Sequence, residues 1–284
     1  MRLVIQGAAI RTPHLQHIHQ LCGVTASFMQ VGEHAYYLQV SLTNVTNVKL
    51  TEVKNFCTEQ SIDCALVDDK QRLSHFGLCV MDMDSTLINI ECIDEIADMA
   101  GLKPQVAAIT ENAMRGEIDF AESLKQRVAL LSGLEESALH RVVAERLKLN
   151  PGAQEWINTC KQFGIKTMLV SGGFTFFANK VKAMLGLDYA ISNTLEIIDG
   201  KLTGKILGDI VDAQAKADHL IKLRDELGLK ASQTIAIGDG ANDLKMMVVA
   251  GVGVAYHAKP IVQQEATYAL NFVGLEGVIG LFTT

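Results

Sequence analysis

The sequence predicts an α/β protein: a doubly wound parallel sheet with a helical insertion after its first strand, and a smaller α+β unit in front. Three observations predict it. The apolar run Leu78–Met81 passes directly into Asp82-Met83-Asp84. Two further apolar runs, residues 165–170 and 234–237, end in Ser171-Gly172-Gly173 and in Gly238-Asp239-Gly240-Ala241-Asn242-Asp243. Between the first run and the second lie four segments of helical periodicity instead of one crossover helix. Strands buried on both faces read as continuous apolar runs, and open parallel sheets place ligands at the carboxyl ends of those strands.

Residues 1–74 read as a unit of their own. A strand at 2–8 is followed by a helix that Thr12-Pro13 opens, with Pro at its favoured early position. Strand-like runs at 26–31 and 35–42 flank a Gly32-Glu33-His34 turn, then come a helix at 48–60 and a strand at 62–67. Strand-helix-strand-strand-helix-strand is the split βαβ, ferredoxin-like order. By order and length this unit resembles an ACT-type regulatory domain. Such modules often bind amino acids at the loop after the first strand, here residues 7–13; His14 stands where that pattern places a glycine, so packing or dimerisation is expected at least as much as ligand binding. His14, His17 and His19 lie on the first helix, but no carboxylate or cysteine nearby completes a metal set, and a polar helix face is the expectation. Residues 68–74 are a polar connector, and the domain boundary is placed there.

The second unit, residues 75–284, begins with the strand into Asp82. Helical periodicity at 94–99, 103–114, 119–131 and 135–147 predicts an insertion at about 93–148, positioned as a cap over the acids. Phe120 and Arg127 are two helical turns apart and share a face; periodicity alone makes the first core and the second surface. Asn150-Pro151-Gly152 reads as a helix start with Asn as cap. Short strands are expected at 189–192, 195–198 and 202–206, the last two forming a hairpin about Asp199-Gly200. Asp212 caps the next helix, and Lys216 lies near its start, where a cation opposes the helix dipole unless an anion faces it. Strands at 251–254 and 268–271 and a helix at 275–282 close the chain.

Composition limits the function. Apolar residues make up 49% and charged residues 20%, a globular profile. The formal net charge of −7 argues against a nucleic-acid backbone or an anionic membrane as partner. The six cysteines show no C-x-x-C spacing and several fall in apolar segments, as expected of reduced thiols in a cytoplasmic protein. No targeting signal or bilayer-length apolar run is expected.

Asp82 and Asp84 begin on one side of an extended chain, and two crowded carboxylates repel unless a cation sits between them or they do different jobs. Taken alone, the pair could equally be solvated acids at a strand end. With Ser171, Lys216 and Asp239 gathered at the same sheet edge, the set is the one needed to hold Mg²⁺ and a phosphoryl group.

Asp82-Met83-Asp84-Ser85-Thr86, Ser171-Gly172-Gly173, Lys216 and Gly238-Asp239-Gly240-Ala241-Asn242-Asp243 together resemble the haloacid dehalogenase superfamily of aspartyl-phosphate phosphotransferases, across residues 77–284. Within it, the stretch from Asp82 through Glu91 and the segment Met114-Arg115-Gly116 through Phe120, Ser123-Leu124 and Arg127-Val128 are similar to the phosphoserine phosphatases. The resemblance implies a Rossmann-like core and Mg²⁺-dependent release of phosphate from phosphoserine, the last step of serine synthesis by that route. By it Asp82 is the nucleophile and Asp84 the general acid and base. Asp82, the Asp84 backbone carbonyl and Asp239 hold Mg²⁺, with Asp243 supporting them. Ser171, Gly172 and Lys216 grip the phosphate, and Asn242 orients it. Glu91 meets the substrate ammonium and Arg127 its carboxylate, with Phe120 closing over them; this replaces the periodicity-based reading of those two residues. Two rival readings are a phosphatase or phosphotransferase for another small phosphomonoester, and a non-catalytic amino-acid sensor.

Overall fold

The computed structural model describes residues 1–32, 35–41 and 46–283. Glu33 and His34 of the expected turn, and Leu42, lie outside the described residues. The described residues form two sheets. The smaller comprises β1 (Arg2–Gln6), β2 (Met29–Gly32), β3 (Ala35–Gln39) and β4 (Asp63–Val67) in the order β2-β3-β1-β4, all antiparallel. With helices Thr12–Cys22 and Asn47–Glu59 this is the expected ferredoxin-like arrangement.

Side chains alternate across β1 and give the small sheet two buried faces. Leu3 and Ile5 pack with Ile18, Cys22, Val53 and Cys57 of the two helices. Val4, with Ala65 and Val67 of β4, instead joins the core of the second unit beside Trp156 and Phe282. Asp63 fastens this contact, because its carboxylate accepts the backbone N–H groups of Asn271, Phe272 and Val273 at 2.7, 2.8 and 3.1 Å.

The larger sheet has the order β11-β10-β9-β5-β6-β7-β8. Its strands are β5 (Leu78–Met81), β6 (Lys166–Phe174), β7 (Tyr189–Ile198), β8 (Lys201–Leu207), β9 (Thr234–Gly238), β10 (Val252–Tyr256) and β11 (Tyr268–Leu270). All neighbours are parallel except β7 and β8. Along β5, Cys79 and Met81 face a core shared with helices Ala153–Gln162 and Thr175–Leu185, whereas Leu78 and Val80 face Leu220 and Met246 on the other side. The sheet is thus wound with helices on both faces. Central β5 has β6 on one side and β9 on the other, which makes its carboxyl end the topological switch point.

Helices Cys92–Met99, Lys103–Met114, Phe120–Ala129 and Ser137–Glu145 form the insertion. Backbone bonds from Gly133 N–H to the Leu202 carbonyl and from Glu136 N–H to the Gly200 carbonyl tie it to the β7–β8 hairpin.

Several boundaries differ from the sequence-based expectation. Asn150 does not cap a helix: Gly152, at φ +74°, precedes the first turn, and the Asn150 side chain is engaged elsewhere. Residues 189–198 are one strand, because Asn193 is buried with both ends of its amide satisfied: Nδ2 donates to the Gly172 carbonyl and Oδ1 accepts the Val211 N–H, each at 2.8 Å. Ser171-Gly172-Gly173 belongs to β6, across a register shift after which Phe174 pairs with Asn193. The expected closing helix shrinks to Gly277–Gly280. The first-helix histidines do not form a uniform polar face: His14 is buried beside Arg11, His17 lies against Phe56 with its ring tilted, and His19 bonds the Ala26 carbonyl. The six cysteines are free. No helix among the described residues is long and apolar enough to cross a membrane.

Candidate active site

A cavity of about 350 Å³ opens over the carboxyl ends of β5, β6 and β9. Its floor carries Asp82, Asp84, Ser171 and Asp239, and the insertion contributes Phe120 and Arg127 to its roof. Asn242, Gly172 and Glu91 complete the gathering of sequence-predicted residues. Lys216 and Asp243 lie beneath the floor, fully buried.

Asp82 is locked to the sheet, since its backbone N–H donates to the Ile237 carbonyl of β9 at 3.0 Å. Its Oδ1 accepts the Met83 N–H at 2.7 Å, and its Oδ2 lies 2.7 Å from Lys216 Nζ. The same Nζ donates to Asp243 Oδ1 at 2.7 Å, while Asp243 Oδ2 accepts the Gly240 N–H at 3.0 Å. Here is the anion that a lysine near a helix start requires. Asp212 caps that helix by accepting the Ala215 N–H at 2.8 Å, which sets Lys216 under Asp82. Burial alone would lower the lysine's pKa, but Asp243 and Asp82 raise it overall, so the cation stays charged where water cannot reach it.

Burial pushes the Asp84 carboxyl well above the usual carboxylate range, and the charges of Glu91 and Asp82 add to this. Cys92 N–H donates to its Oδ1 at 3.4 Å. Asp84 has room because Gly173 faces it: a side chain there would set its Cβ 2.7 Å from Asp84 Oδ2. Gly172 does the same for Phe120, whose ring tip would lie 2.8 Å from an added Cβ.

Asp82, Asp239 and Asp243 each offer an oxygen within 4.8 Å of the others. Three hard oxygen donors at and just beneath the cavity floor fit a divalent cation of the Mg²⁺ kind. Asp243 spends both oxygens on Lys216 and Gly240, which suits support more than ligation. Burial, then the charge of Asp82, pushes the Asp239 carboxyl up to about 6.

Four residues to which the sequence reading gave no role in the site also shape it. Ser85 Oγ donates to Glu91 Oε1 at 2.7 Å from a left-handed backbone, φ +56°. Thr86 Oγ1 donates to Asp239 Oδ1 at 3.0 Å. Asn150 Nδ2 reaches the carbonyls of Ser85, Thr86 and Ile88 at 3.3, 2.8 and 3.1 Å, pinning the loop from Asp84 to Glu91. Lys259 lines the cavity beside Asp239. Only Ser85 and Thr86 had a sequence signal, as neighbours of the paired acids.

The haloacid dehalogenase-like hydrolase family matches residues 76–251. This chain belongs to that family. A phosphoserine phosphatase of Haemophilus influenzae is 46% identical over 280 residues, spanning 99% of this chain and 88% of its relative. A probable phosphoserine phosphatase of Vibrio cholerae, solved unliganded, superposes with TM-score 0.85 at 41% identity, over 99% of this chain and 85% of that one. A haloacid dehalogenase family hydrolase from Salmonella enterica superposes with TM-score 0.91 at 31% identity, over 99% and 97%.

Proposed function

We propose that this chain is a Mg²⁺-dependent phosphoserine phosphatase, a phosphoric monoester hydrolase that releases L-serine and phosphate. One observation carries the choice of substrate. The cavity that holds the nucleophile candidates also holds one carboxylate, Glu91, and one guanidinium, Arg127, on its substrate side. Phosphoserine presents an ammonium and a carboxylate beside its phosphoester, the complementary pair. Arg127 donates only to the Ser123 carbonyl, at 3.3 Å, and forms no ion pair among the described residues, which leaves its charge for a ligand. Phe120 packs over the same space.

Asp82 attacks phosphorus, forming an Asp–O–P bond as the bond from phosphorus to the serine oxygen breaks. Asp84, whose carboxyl burial raises above the usual carboxylate range, gives its proton to that leaving oxygen. In the second half Asp84 takes a proton from a water as that water's oxygen bonds to phosphorus and the Asp82–O–P bond breaks, giving inorganic phosphate and the free Asp82 carboxylate. Ser171 and the Gly172 N–H hold the phosphoryl oxygens and Asn242 orients them, while Lys216, buried beneath the cavity floor, fixes Asp82 and offsets its charge. Asp82, the Asp84 carbonyl and Asp239 would hold Mg²⁺, with Asp243 fixing them from behind through Lys216. When bound, Mg²⁺ supplies charge to the phosphoryl oxygens.

The reading extends to the whole chain: an ACT-like domain at 1–74, a catalytic domain at 75–284 with its cap at about 93–148, and a cytoplasmic homodimer. Met29 and Val31 on edge strand β2, each more than half exposed, support the assembly.

Arg127→Ala tests the substrate assignment. Losing a charge-assisted carboxylate contact should lower kcat/KM on phosphoserine by about 30-fold or more, while a phosphomonoester without a carboxylate loses little. Equal losses on both would remove the carboxylate clamp, and a wild-type preference for a phosphosugar would remove the substrate.

A further inference from the structure

The cavity over the strand ends is short of positive charge. Four carboxyl groups line it, Asp82, Asp84, Glu91 and Asp239, against two cations, Arg127 and Lys259. Lys216 is engaged beneath the floor by Asp82 and Asp243. Arg127 comes from the insertion, on helix Phe120–Ala129, and the proposed function gives it the substrate carboxylate. Lys259 is left without a task. We propose that Lys259 is a phosphate-capturing residue, whose ammonium draws the phosphoryl dianion of a phosphomonoester into the cavity and retains the outgoing inorganic phosphate. This rests on the reading of the cavity as a phosphomonoesterase site, but not on phosphoserine as its substrate.

Sheet order places the residue. A phosphoryl group over Asp82, at the end of β5, has β6 on one side and β9, then β10, on the other. Ser171 and Gly172 meet it from β6. On the β9 side stand Asp239, Gly240 and Asn242, and after β10 comes Lys259, the one cation lining that side among the described residues. Mg²⁺ held by Asp82 and Asp239 would be matched by their two charges, and Lys216 is matched by Asp243. An incoming dianion therefore still lacks a counter-charge, and Lys259 supplies one.

The chain fixes Lys259 at its backbone and leaves its side chain free. Its N–H donates to the Asp239 carbonyl at 3.3 Å, and its carbonyl accepts the Val262 and Gln263 N–H groups at 2.9 and 3.1 Å. Gln263 Nε2 donates to the Ala258 carbonyl at 2.6 Å, and His257 N–H to the Leu270 carbonyl at 2.7 Å. Pro260 restricts the residue before it to extended backbone, and Lys259 has φ −62° and ψ 150°. The ammonium makes no hydrogen bond or ion pair among the described residues, and the residue is exposed. An exposed cation at a binding site acts on capture, and salt screens it.

Lys259→Met keeps the backbone bonds and removes the charge. In phosphate release by the full chain with Mg²⁺ at about 20 mM ionic strength, kcat/KM should fall about 5-fold, with the loss in KM. The fall should be alike on phosphoserine and on p-nitrophenyl phosphate, which has no carboxylate. The inhibition constant of inorganic phosphate should rise by a similar factor, and Lys259→Arg should restore both. Raising ionic strength to about 300 mM should lower kcat/KM of the wild type distinctly more than that of Lys259→Met. The Mg²⁺ concentration for half-maximal rate should not move. Calorimetric titration with inorganic phosphate reads the same contact without turnover, so a wild type inactive on phosphoserine would remove that substrate and leave this test standing. Equal phosphate affinity in wild type and Lys259→Met would overturn the proposal, as would no phosphate binding by the wild type at about 10 mM. A loss confined to kcat, with a shifted Mg²⁺ requirement, would also overturn it and make Lys259 a support for Asp239.

Discussion

At the scale of single residues, the site depends on charges that are buried and answered. Lys216 is enclosed on one side by Asp82 and on the other by Asp243, each at 2.7 Å, so the nucleophile candidate rests on a fixed cation. The lysine was legible in the sequence because it is badly placed for the helix dipole and therefore calls for a facing anion. Phe120 and Arg127 were not legible from periodicity, since a two-turn spacing describes a packed face and a cavity roof equally well. Ser85 is the sharpest addition. Its hydroxyl holds Glu91 Oε1 at 2.7 Å from a residue in the left-handed backbone region. Ser85→Ala should raise KM for phosphoserine about 10-fold, the worth of a hydrogen bond to a charged group, with kcat nearly unchanged. Steady-state kinetics on phosphoserine and on a phosphoester without an ammonium check this; a rise in KM on both would place Ser85 outside ammonium recognition.

At the scale of elements, the loop from Asp84 to Glu91 is built by contacts that its own sequence does not contain. Asn150, more than sixty positions away, donates to three of its carbonyls. An Asn ahead of Pro151-Gly152 has the local grammar of a helix cap, and only the tertiary fold redirects it. The same lesson holds for β7, where Asn193-Thr194 looks like a strand break. A buried Asn193 bonded to Gly172 and Val211 carries the strand straight through and positions Gly172 in passing. Strand ends, helical insertion and order of motifs were legible, being matters of periodicity; long-range side-chain bonds were not. Asn150→Ala should cost about 1–3 kcal/mol, because carbonyls lose their donor. Urea denaturation measures this, and a change below a few tenths would mean that water replaces the amide fully.

At the scale of the whole molecule, an acidic protein proposed to act on an acidic substrate must concentrate positive charge locally. Arg127 and Lys259 on the cavity wall and Lys216 beneath it supply part, and the proposed Mg²⁺ the rest. Asp239 links that cation to pH. Its carboxyl, raised to about 6 from an ordinary 3.8, favours the metal-free fold most at low pH, and that contribution is lost as pH rises through about 6. Mg²⁺ binds the carboxylate, so it must displace a proton below that pH and none above it. The rise in Tm on adding Mg²⁺ should therefore be large at about pH 7.5 and largely gone near pH 5. A rise independent of pH would exclude Asp239 as a ligand. The central claim, that Asp82 drives Mg²⁺-dependent hydrolysis of phosphoserine, is tested most directly by phosphate release from O-phospho-L-serine by the full chain and by Asp82→Asn. The wild type should turn over with Mg²⁺ and stop with EDTA, and Asp82→Asn should stay folded and release nothing. Release by Asp82→Asn at the wild-type rate, or no release by the wild type with Mg²⁺, would contradict the account.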